Sequence, residues 1–531
     1  MSPGFVCLTK KEEIFGCECM YLSWLLKSVI YQLMTGNENI FVSDIIYDSR
    51  KIVKDSVFVC LKGSQRDGHD YIDQAVKGGA SAIVVQDAYT AVWAAGQPWK
   101  ITVILVHNTR EALAQMSKAL FCFPAKKMKV IGVTGTKGKT TVAWMLKKVL
   151  EAGGIPTGIM GTIGVDTGKR RISTDNTTPE SYLVEAYLDM MVQDGCQAAV
   201  MEVSSQALMC HRVDGILFDY GIITNIYPDH IGPGEHRDFN DYVYWKGRLF
   251  GQCRTGIAVI GESGPDVCRA LEGHQCFLET YQLSQTCHIR PWQDQKHLGV
   301  AFDMCDLKNT RESDAFGHFR LGIPGVYNVE NALAVIAAAR HFGIDDAVIN
   351  HAFENMCIPG RCEIVPFVKK GRFVLDYAHN GTALEAVLKN MRVYHPSRLI
   401  CIFGCGGNRS PLRRIGMGQA AVRLADRVII TTDNPRYEDP DQIIQDILKG
   451  IHQLYDENPT LDGLCCPPDQ VLVVKDRKAA IAGALEEIGE GDIVVLAGKG
   501  HETSQEIKGH CLPFDERTII REMCLNRQAD V

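Results

Sequence analysis

The sequence predicts an α/β protein built from three domains. At 531 residues the chain is too long for a single hydrophobic core. Short apolar runs alternate with helical runs along most of its length, which is typical of mostly parallel sheets covered by helices. A glycine-rich turn after one of these runs leads directly into a helix. We therefore expect a small N-terminal α/β domain, a central P-loop domain with a parallel sheet, and a C-terminal Rossmann-like α/β domain.

The composition limits the classes of protein to consider. Hydrophobic residues make up 46% and charged residues 22%, which is ordinary for a globular protein. The net charge of -7 argues against a nucleic-acid partner. The 20 cysteines form no double CxxC set, so we expect reduced thiols in a cytoplasmic protein. No apolar run reaches the roughly 18 residues of a membrane span, and residues 1–19 are expected to be a disordered extension.

The first third of the chain predicts small α/β units. Glycine and proline pairs separate the elements, and the segment 124–127 is expected to be a hinge. We place the N-terminal domain at residues 1–107, the central domain at 108–358 and the C-terminal domain at 359–531. The predicted strands of the first domain and its surroundings are 56–61, 81–85 and 101–106, and the helices are 71–77 and 109–120.

Further strands follow in the two later domains. In the last domain each predicted strand ends in a polar loop with glycine or proline, and open α/β sheets bind ligands outside the carboxyl ends of their strands. A helix at 328–342 is expected to close the central domain. The predicted strands are 129–134, 197–202, 220–224 and 256–260, then 372–375, 399–403, 427–431 and 493–496.

The segment 129–141 carries the clearest chemical signal. A strand runs into a glycine-rich turn and then Gly138-Lys139-Thr140, so backbone N–H groups and a helix N-terminus face a nucleotide phosphate. Lys139 would reach the β- and γ-phosphates, and the Thr140 hydroxyl would bind Mg²⁺. The usual GxxxxGK[ST] pattern has glycine where this chain has Val133, so an ordinary turn is the competing interpretation. The neighbouring lysine and threonines favour the nucleotide.

Three residues are candidates for metal chemistry near this loop. Glu202 ends a strand and suits Mg²⁺, which prefers oxygen ligands. His230 follows another strand, and a structural role is equally compatible with its chemistry. Lys246 lies in a predicted helix, where a lysine is ordinarily solvated.

Four polar strand ends in the last third predict a further site. They lie at 376–380, 403–409, 432–436 and 497–502. One such loop is usually a turn, whereas four in one domain indicate a binding site. Because they mix arginine and lysine with carboxylates, the ligand is expected to be a zwitterion.

Taken in order, these motifs resemble the Mur ligase family, in particular its UDP-N-acetylmuramoyl-tripeptide synthetases. The resemblance covers about residues 41–516. Each motif is weak to moderate alone, and the ordered set is specific. The matching segments are 48–50, 63–69, 136–141, 176–179, 202–205, 211–213, 324–331, 359–363 and 433–436.

The resemblance implies an ATP- and Mg²⁺-dependent amide ligase of peptidoglycan precursor synthesis. It would add meso-2,6-diaminopimelate to the D-glutamyl γ-carboxylate of UDP-N-acetylmuramoyl-L-alanyl-D-glutamate through an acyl phosphate. We expect a cytoplasmic monomer with no nucleic-acid partner and no membrane span. The alternatives are the same chemistry with lysine or another amine, a folylpolyglutamate synthetase, and a nucleotide-sugar-binding protein without turnover.

The resemblance also implies roles for individual residues. The catalytic set is Lys139, Glu202, His230 and Lys246, and the metal ligands are Thr140, Glu202, His230 and Lys246 as a carbamate. The ATP-binding set is Gly135, Thr136, Lys137, Gly138, Lys139, Thr140, Thr141, Asn328, Asn331 and Arg361. The UDP-sugar-peptide set is Ser49, Asn176, Thr177, Thr178, Ser204 and Arg212.

The amino-acid substrate is expected to be recognised in the last domain. The Arg436 guanidinium would bind the distal carboxylate of diaminopimelate in a bidentate pair. The substrate lysine has no distal carboxylate and could not form this pair. A simple turn is the competing interpretation of this loop. The implied set is Arg409, Asp433, Asn434, Pro435, Arg436, Gly498 and Glu502. The chain departs from the family pattern at Gln206, 231–232, 380–381 and Asn408, and these departures keep another acceptor amine open.

Overall fold

The computed structural model describes residues 20–63, 66–232, 235–253, 256–261, 264–294, 297–305, 315–366, 368 and 370–529. The predicted extension 1–19 lies outside these residues. The chain divides into two compact units. One runs to Gln282 and includes Asn331–Ile349, and the other comprises Leu283–Glu330 and the chain from Asn350 onward. The predicted domain boundaries stay predictions.

The first unit begins with a five-stranded sheet of order β1-β5-β4-β3-β2, parallel except for β1. The predicted strands and helices of this region are confirmed, whereas β1 and β2 were not expected. The strands are β1 (Tyr31–Thr35), β2 (Ile45–Ile46), β3 (Val57–Val59), β4 (Ala82–Val85) and β5 (Thr102–Val106). The helices are α1 (Leu22–Leu25), α2 (Ile72–Lys77), α3 (Ala88–Ala95) and α4 (Thr109–Leu120).

An eight-stranded sheet forms the rest of the first unit. Its order is β13-β12-β11-β6-β10-β7-β8-β9, parallel from β13 to β7 with β8 and β9 as an antiparallel edge. The strands are β6 (Lys129–Thr134), β7 (Thr157–Gly161), β8 (Gly164–Asp166), β9 (Arg171–Ile172), β10 (Ala198–Glu202), β11 (Tyr220–Ile223), β12 (Ile257–Ile260) and β13 (Phe277–Thr280). The helices are α5 (Lys139–Ala152), α6 (Ser181–Gln193), α7 (Ser205–Met209), α8 (Phe239–Gly251) and α9 (Pro265–Ala270).

The register of this sheet positions the candidate site. β6 is central, and its Val133 pairs with Glu202 of β10 while its Thr134 pairs with Ile223 of β11. Because parallel strands end at the same edge, the loops after β6, β10 and β11 lie side by side. All five residues of β10 are buried, as expected for a strand covered by helices on both faces.

The second unit opens with a three-stranded antiparallel sheet that the sequence did not predict. It consists of β14 (Thr286–Gln293), β15 (Leu298–Cys305) and β16 (Ala315–Leu321). Helices α10 (Val326–His341) and α11 (Asp346–Glu354) follow, and the chain passes between the two units within them. The predicted helix at 328–342 is confirmed as α10.

A six-stranded sheet of order β17-β18-β22-β19-β20-β21 completes the second unit, parallel except for β17. All four strands expected here are confirmed. The strands are β17 (Glu363–Ile364), β18 (Arg372–Asp376), β19 (Leu399–Phe403), β20 (Arg427–Ile430), β21 (Val471–Val473) and β22 (Ile493–Ala497), followed by a hairpin of β23 (Ser504–Ile507) and β24 (His510–Pro513). The helices are α12 (Gly381–Arg392), α13 (Pro411–Leu424), α14 (Pro440–Glu457), α15 (Arg477–Glu487) and α16 (Glu516–Ala529).

Within the described ranges, no helix has both the length and the apolar character that crossing a membrane requires.

Candidate active site

The glycine-rich turn between β6 and α5 requires its glycines. Gly135 and Gly138 have φ of 139° and 87°, which side chains rarely adopt. A Cβ on Gly135 would lie 1.9 Å from Thr224 Oγ1, and one on Gly138 would lie 2.6 Å from Asn331 Oδ1. The turn is therefore packed tightly against the loop after β11, and the Asn331 side chain lies against Gly138.

Two lysines converge on one carbonyl of this turn. Lys139 Nζ donates to Gly135 O at 2.8 Å and to Thr136 O at 3.1 Å. Lys246 Nζ, from α8, donates to the same Gly135 O at 2.8 Å. The structure thus brings together two of the predicted catalytic residues, which lie more than 100 positions apart in sequence.

Lys246 is not the solvated helix lysine that its local sequence suggests. Its side chain is buried, with Nζ 4.6 Å from the centroid of the Tyr242 ring. Burial and the neighbouring charge of Lys139 hold the pKa of Lys246 well below 10.5, against a smaller opposing effect of Asp229. A lowered pKa makes the neutral amine easier to form than at an exposed lysine.

Glu202 is the buried carboxylate of the site. Its Oε2 accepts hydrogen bonds from Thr140 Oγ1 at 2.8 Å and Thr162 Oγ1 at 3.1 Å, and its Oε1 accepts one from the Thr162 amide at 2.8 Å. A Cβ on Gly161 would lie 2.1 Å from Glu202 Oε1. The sequence analysis missed Thr162, although it directly follows the end of a parallel strand, where ligand contacts are common.

Several residues predicted to bind the UDP-sugar peptide gather beside Glu202. Thr177 Oγ1 lies 3.1 Å from Thr162 Oγ1, and Thr178 Oγ1 donates to the Glu202 carbonyl at 2.7 Å. Arg212 Nη1 donates to the Thr178 carbonyl at 3.0 Å. Thr177 is therefore linked to the Glu202 carboxylate through Thr162, and Thr178 and Arg212 are linked to the Glu202 backbone.

The other three members of that set are placed differently. Ser204 caps α7, because its Oγ accepts a hydrogen bond from the Ala207 amide at 3.1 Å. Asn176 is exposed, and Ser49 begins the short 3₁₀ helix Ser49–Lys51 after β2. Their predicted contacts with a ligand stay predictions.

His230 is the most exposed of the four predicted catalytic residues. Its side chain is 59% exposed, and its Nδ1 lies 3.1 Å from Glu235 Oε1. Among the described residues it forms no hydrogen bond with Glu202 or Thr140, so its role as a metal ligand stays a prediction. The neighbouring His236, which the sequence analysis did not select, is instead buried with Nε2 2.9 Å from Ser205 Oγ.

In the second unit the polar loop after β20 contains a buried charge network. Lys499 Nζ donates to Asn434 Oδ1 at 3.1 Å and to Glu502 Oε2 at 3.2 Å, and lies 3.8 Å from Asp433 Oδ1. Burial raises the pKa of Asp433, and Arg477 and Lys499 oppose that rise. A Cβ on Gly498 would lie 2.3 Å from Asp433 Oδ2.

The hairpin β23–β24 holds this loop in place. The Arg436 amide donates to the Glu506 carbonyl at 3.0 Å, and the Lys508 amide donates to the Arg436 carbonyl at 2.6 Å. Gln505 Nε2 also donates to the Asp433 carbonyl at 2.6 Å. Arg436 has a left-handed φ of 53°, and the hairpin backbone fixes it there.

The remaining predicted residues of this unit differ in their contacts and exposure. Pro435 packs against Gly407, where an added Cβ would lie 2.0 Å from the Pro435 carbonyl oxygen, and Arg409 is exposed. Arg361 stacks over the Tyr377 ring at 5.1 Å. Asn328 is buried and donates to the Pro324 carbonyl at 2.6 Å.

Comparison with known families agrees with this architecture. The family description "Mur ligase family, catalytic domain" matches residues 42–120, "Mur ligase middle domain" matches 133–339, and "Mur ligase, glutamate ligase domain" matches 360–500. The chain belongs to the Mur ligase family, and the predicted three-domain α/β fold class is confirmed.

Relatives of known name cover nearly the whole chain. The UDP-N-acetylmuramoyl-L-alanyl-D-glutamate–2,6-diaminopimelate ligase of Clostridium perfringens is 36% identical over 95% of this chain and 99% of its own length. The Clostridium acetobutylicum ligase 1 of the same name is 37% identical with the same coverage. A solved structure of a ligase of this name covers 96% of this chain and 99% of its own, with 25% identity and a TM-score of 0.64.

Proposed function

We propose that this chain is an ATP-dependent amide ligase that joins meso-2,6-diaminopimelate to UDP-N-acetylmuramoyl-L-alanyl-D-glutamate. The observation that carries the proposal is the phosphate loop, where Thr140 donates a hydrogen bond to the buried Glu202 carboxylate and two lysines donate to the Gly135 carbonyl. The relatives named for this reaction share over a third of their residues with the chain along almost its full length.

The donors around Glu202 suit Mg²⁺. They are a carboxylate and the hydroxyls of Thr140 and Thr162, all hard oxygen atoms. When bound, Mg²⁺ would offset the negative charge that two anionic reactants bring together. An ammonium group is a poor Mg²⁺ ligand, so Lys246 would contribute to metal binding only in another chemical form.

The other chemical form of Lys246 would be a carbamate. The neutral Nζ of Lys246 would attack the carbon of CO₂, forming an N–C bond while a C–O π pair becomes a carboxylate lone pair. The nitrogen then releases a proton to solvent. Burial supports this step because it lowers the pKa of the amine, and the product would add a carboxylate beside Lys139 at the Gly135 carbonyl. The carbamate is tested by intact-mass measurement of the native enzyme in CO₂-equilibrated and in CO₂-free buffer. Lys246→Ala is measured in the same two buffers for comparison.

The chain's own residues would then position the reactants. Lys139, the loop amides and the N-terminus of α5 would hold the ATP phosphates, and Asn331 lies against the same loop. Thr177, Thr178 and Arg212 would orient the peptide end of the nucleotide sugar. The D-glutamyl γ-carboxylate would attack the γ-phosphorus of ATP, releasing ADP and forming an acyl phosphate. The incoming amine would then attack the acyl carbon, so that the C–N bond forms, phosphate leaves and the nitrogen loses a proton. Catalysis would rest on orientation rather than on a covalent enzyme intermediate.

The acceptor amine would be selected in the second unit. Arg436 would take the distal carboxylate of diaminopimelate, and Glu502 with Asp433 and Asn434 would take the distal ammonium group. Lysine has no distal carboxylate and would leave Arg436 without its partner, although the departures noted at Gln206 and Asn408 keep another amine as the alternative.

Phosphate release with the dipeptide precursor separates these alternatives. We expect release with ATP, Mg²⁺ and meso-diaminopimelate, and little with L-lysine or without an amine. Release with lysine alone would refute the role of Arg436. Absence of release with any amine would support a nucleotide-sugar-binding protein, and release with a folate substrate would support folylpolyglutamate synthesis.

We also propose that the enzyme is a cytoplasmic monomer. Cytoplasmic ATP would supply the reaction, and the cysteines whose side chains the structure describes form no disulfide. Gel filtration with light scattering tests the monomer.

A further inference from the structure

The guanidinium of Arg436 is held by two groups of the protein itself. Nε donates to Glu506 Oε2 at 3.1 Å, and Nη1 donates to the Gly407 carbonyl at 2.8 Å. Both side chains are partly exposed, at 25% for Arg436 and 34% for Glu506. The pair therefore lies at the surface of the amino-acid loop, where a ligand can reach it.

These two bonds leave the N–H groups of Nη2 and one N–H of Nη1 available. A guanidinium has five N–H groups in a rigid plane, and a carboxylate binds two that are parallel. Glu506 uses the Nε–H, and Gly407 uses one N–H of Nη1. Within the described part of the chain, Nη2 forms no hydrogen bond, so a second N–H of Nη1 and those of Nη2 can still donate.

Glu506 is well placed to fix that orientation. It lies on β23, whose backbone pairs with Arg436 itself, and its amide donates to Asn434 Oδ1 at 3.0 Å. Asn434 in turn donates to Glu502 Oε2 at 2.8 Å. The carboxylate of Glu506 is thus tied to the same network as the residues proposed for the distal ammonium group.

We propose that Glu506 is a specificity-determining positioning residue for the amino-acid substrate, which rests on the proposed function. It holds Nε of Arg436 so that the Nη1–Nη2 edge faces an incoming distal carboxylate. Without Glu506 the guanidinium rotates about its side-chain torsions, and the bidentate geometry is formed only after an ordering step.

Steady-state kinetics of the full-length enzyme test this role. Loss of one charge-assisted hydrogen bond predicts that Glu506→Ala raises the KM for meso-diaminopimelate about tenfold. Because Glu506 acts only on substrate binding, kcat and the KM for ATP should stay within about twofold. Glu506→Gln keeps an acceptor oxygen for Nε and should raise that KM less than about threefold. His510→Ala, an exposed change on the same hairpin, is the matched control.

A double-mutant cycle with Arg436→Ala decides whether Glu506 acts through the arginine. We expect Glu506→Ala to have no further effect on the KM for diaminopimelate once Arg436 is alanine. An equal rise in both backgrounds, or no rise in the native background, would overturn the inference. Failure of the native enzyme to release phosphate with diaminopimelate would instead overturn the proposed function, so the two failures are distinct.

Discussion

Replacing Gly161 with alanine should disable the Glu202 carboxylate without touching any charged residue. Gly161 ends β7, and the added Cβ would lie 2.1 Å from Glu202 Oε1, 2.7 Å from its Cδ and 2.8 Å from its Cγ. Ordinary contacts begin near 3.4 Å, so Oε1 must move by about 1.3 Å. Glu202 is only 1% exposed, and the carboxylate cannot move simply into solvent.

The displacement predicts a large loss of rate. Moving Oε1 breaks its 2.8 Å hydrogen bond from the Thr162 amide, and such bonds to a charged group contribute about 1.5–3 kcal/mol. A misplacement of about 1 Å in a catalytic group lowers a rate by about 100-fold. We therefore expect Gly161→Ala to lower kcat for phosphate release about 100-fold and to raise the Mg²⁺ concentration needed for half-maximal rate.

The assay is initial-rate phosphate release with Mg²⁺ varied, together with thermal unfolding of each variant. Gly251→Ala is the control, because a Cβ there meets nothing within 4 Å, and it should retain the native rate. A Gly161→Ala variant that is folded and has native kcat and Mg²⁺ dependence would refute the placement of Glu202 at the reaction centre.

Three further outcomes are expected. Thr162→Val should weaken the apparent Mg²⁺ affinity about tenfold by removing one hydroxyl from Glu202, whereas Thr162→Ser should not; equal titrations for both variants would contradict this. Arg436→Lys should raise the KM for diaminopimelate about 10- to 100-fold in the phosphate assay with the KM for ATP unchanged, because an ammonium cannot form the bidentate pair. Burial raises the pKa of Glu185 from 4.5 to about 8, so the folded chain binds a proton that the unfolded chain has lost between these two pH values. The native chain therefore loses stability as the pH rises from 4.5 to about 8. Denaturant unfolding should therefore show Glu185→Gln gaining about 1.4 kcal/mol per pH unit relative to the native chain, and a pH-independent difference would contradict the shift.

Much of the fold could be predicted because its signals are local. The strand Ala198–Glu202 is a continuous apolar run closed by an acid, and α4 matches its predicted bounds because Asn108 caps it and its apolar residues follow a helical period. The antiparallel sheet β14–β16 was missed because its strands mix charged and apolar residues, so no regular apolar pattern marks them before they pair. Strand Thr286–Gln293, for example, is stabilised by pairing with Leu298–Cys305.

The candidate site was predictable where one motif contains its residues and not where distant loops meet. The phosphate loop could be selected from its own motif, and the Asp433–Arg436 segment from its place after a strand together with its resemblance to the family. Thr162 lies 40 residues from Glu202, and Glu506 lies 70 residues from Arg436. Thr162 is marked only by its place after a strand, and no local pattern marks Glu506, because each becomes significant only when parallel strand ends or a hairpin bring it to its partner.

The convergence of Lys139 and Lys246 on the Gly135 carbonyl explains why burial matters for the proposed chemistry. Two ammonium groups sharing one acceptor repel each other, and a buried site screens that repulsion poorly. The pKa of the more deeply buried lysine is therefore expected to fall, which is the direction found for Lys246. A carbamate at that position would change the neighbour of Lys139 from a potential cation into an anion. The Lys246 carbamate would then hold Lys139 and a divalent cation beside the phosphates.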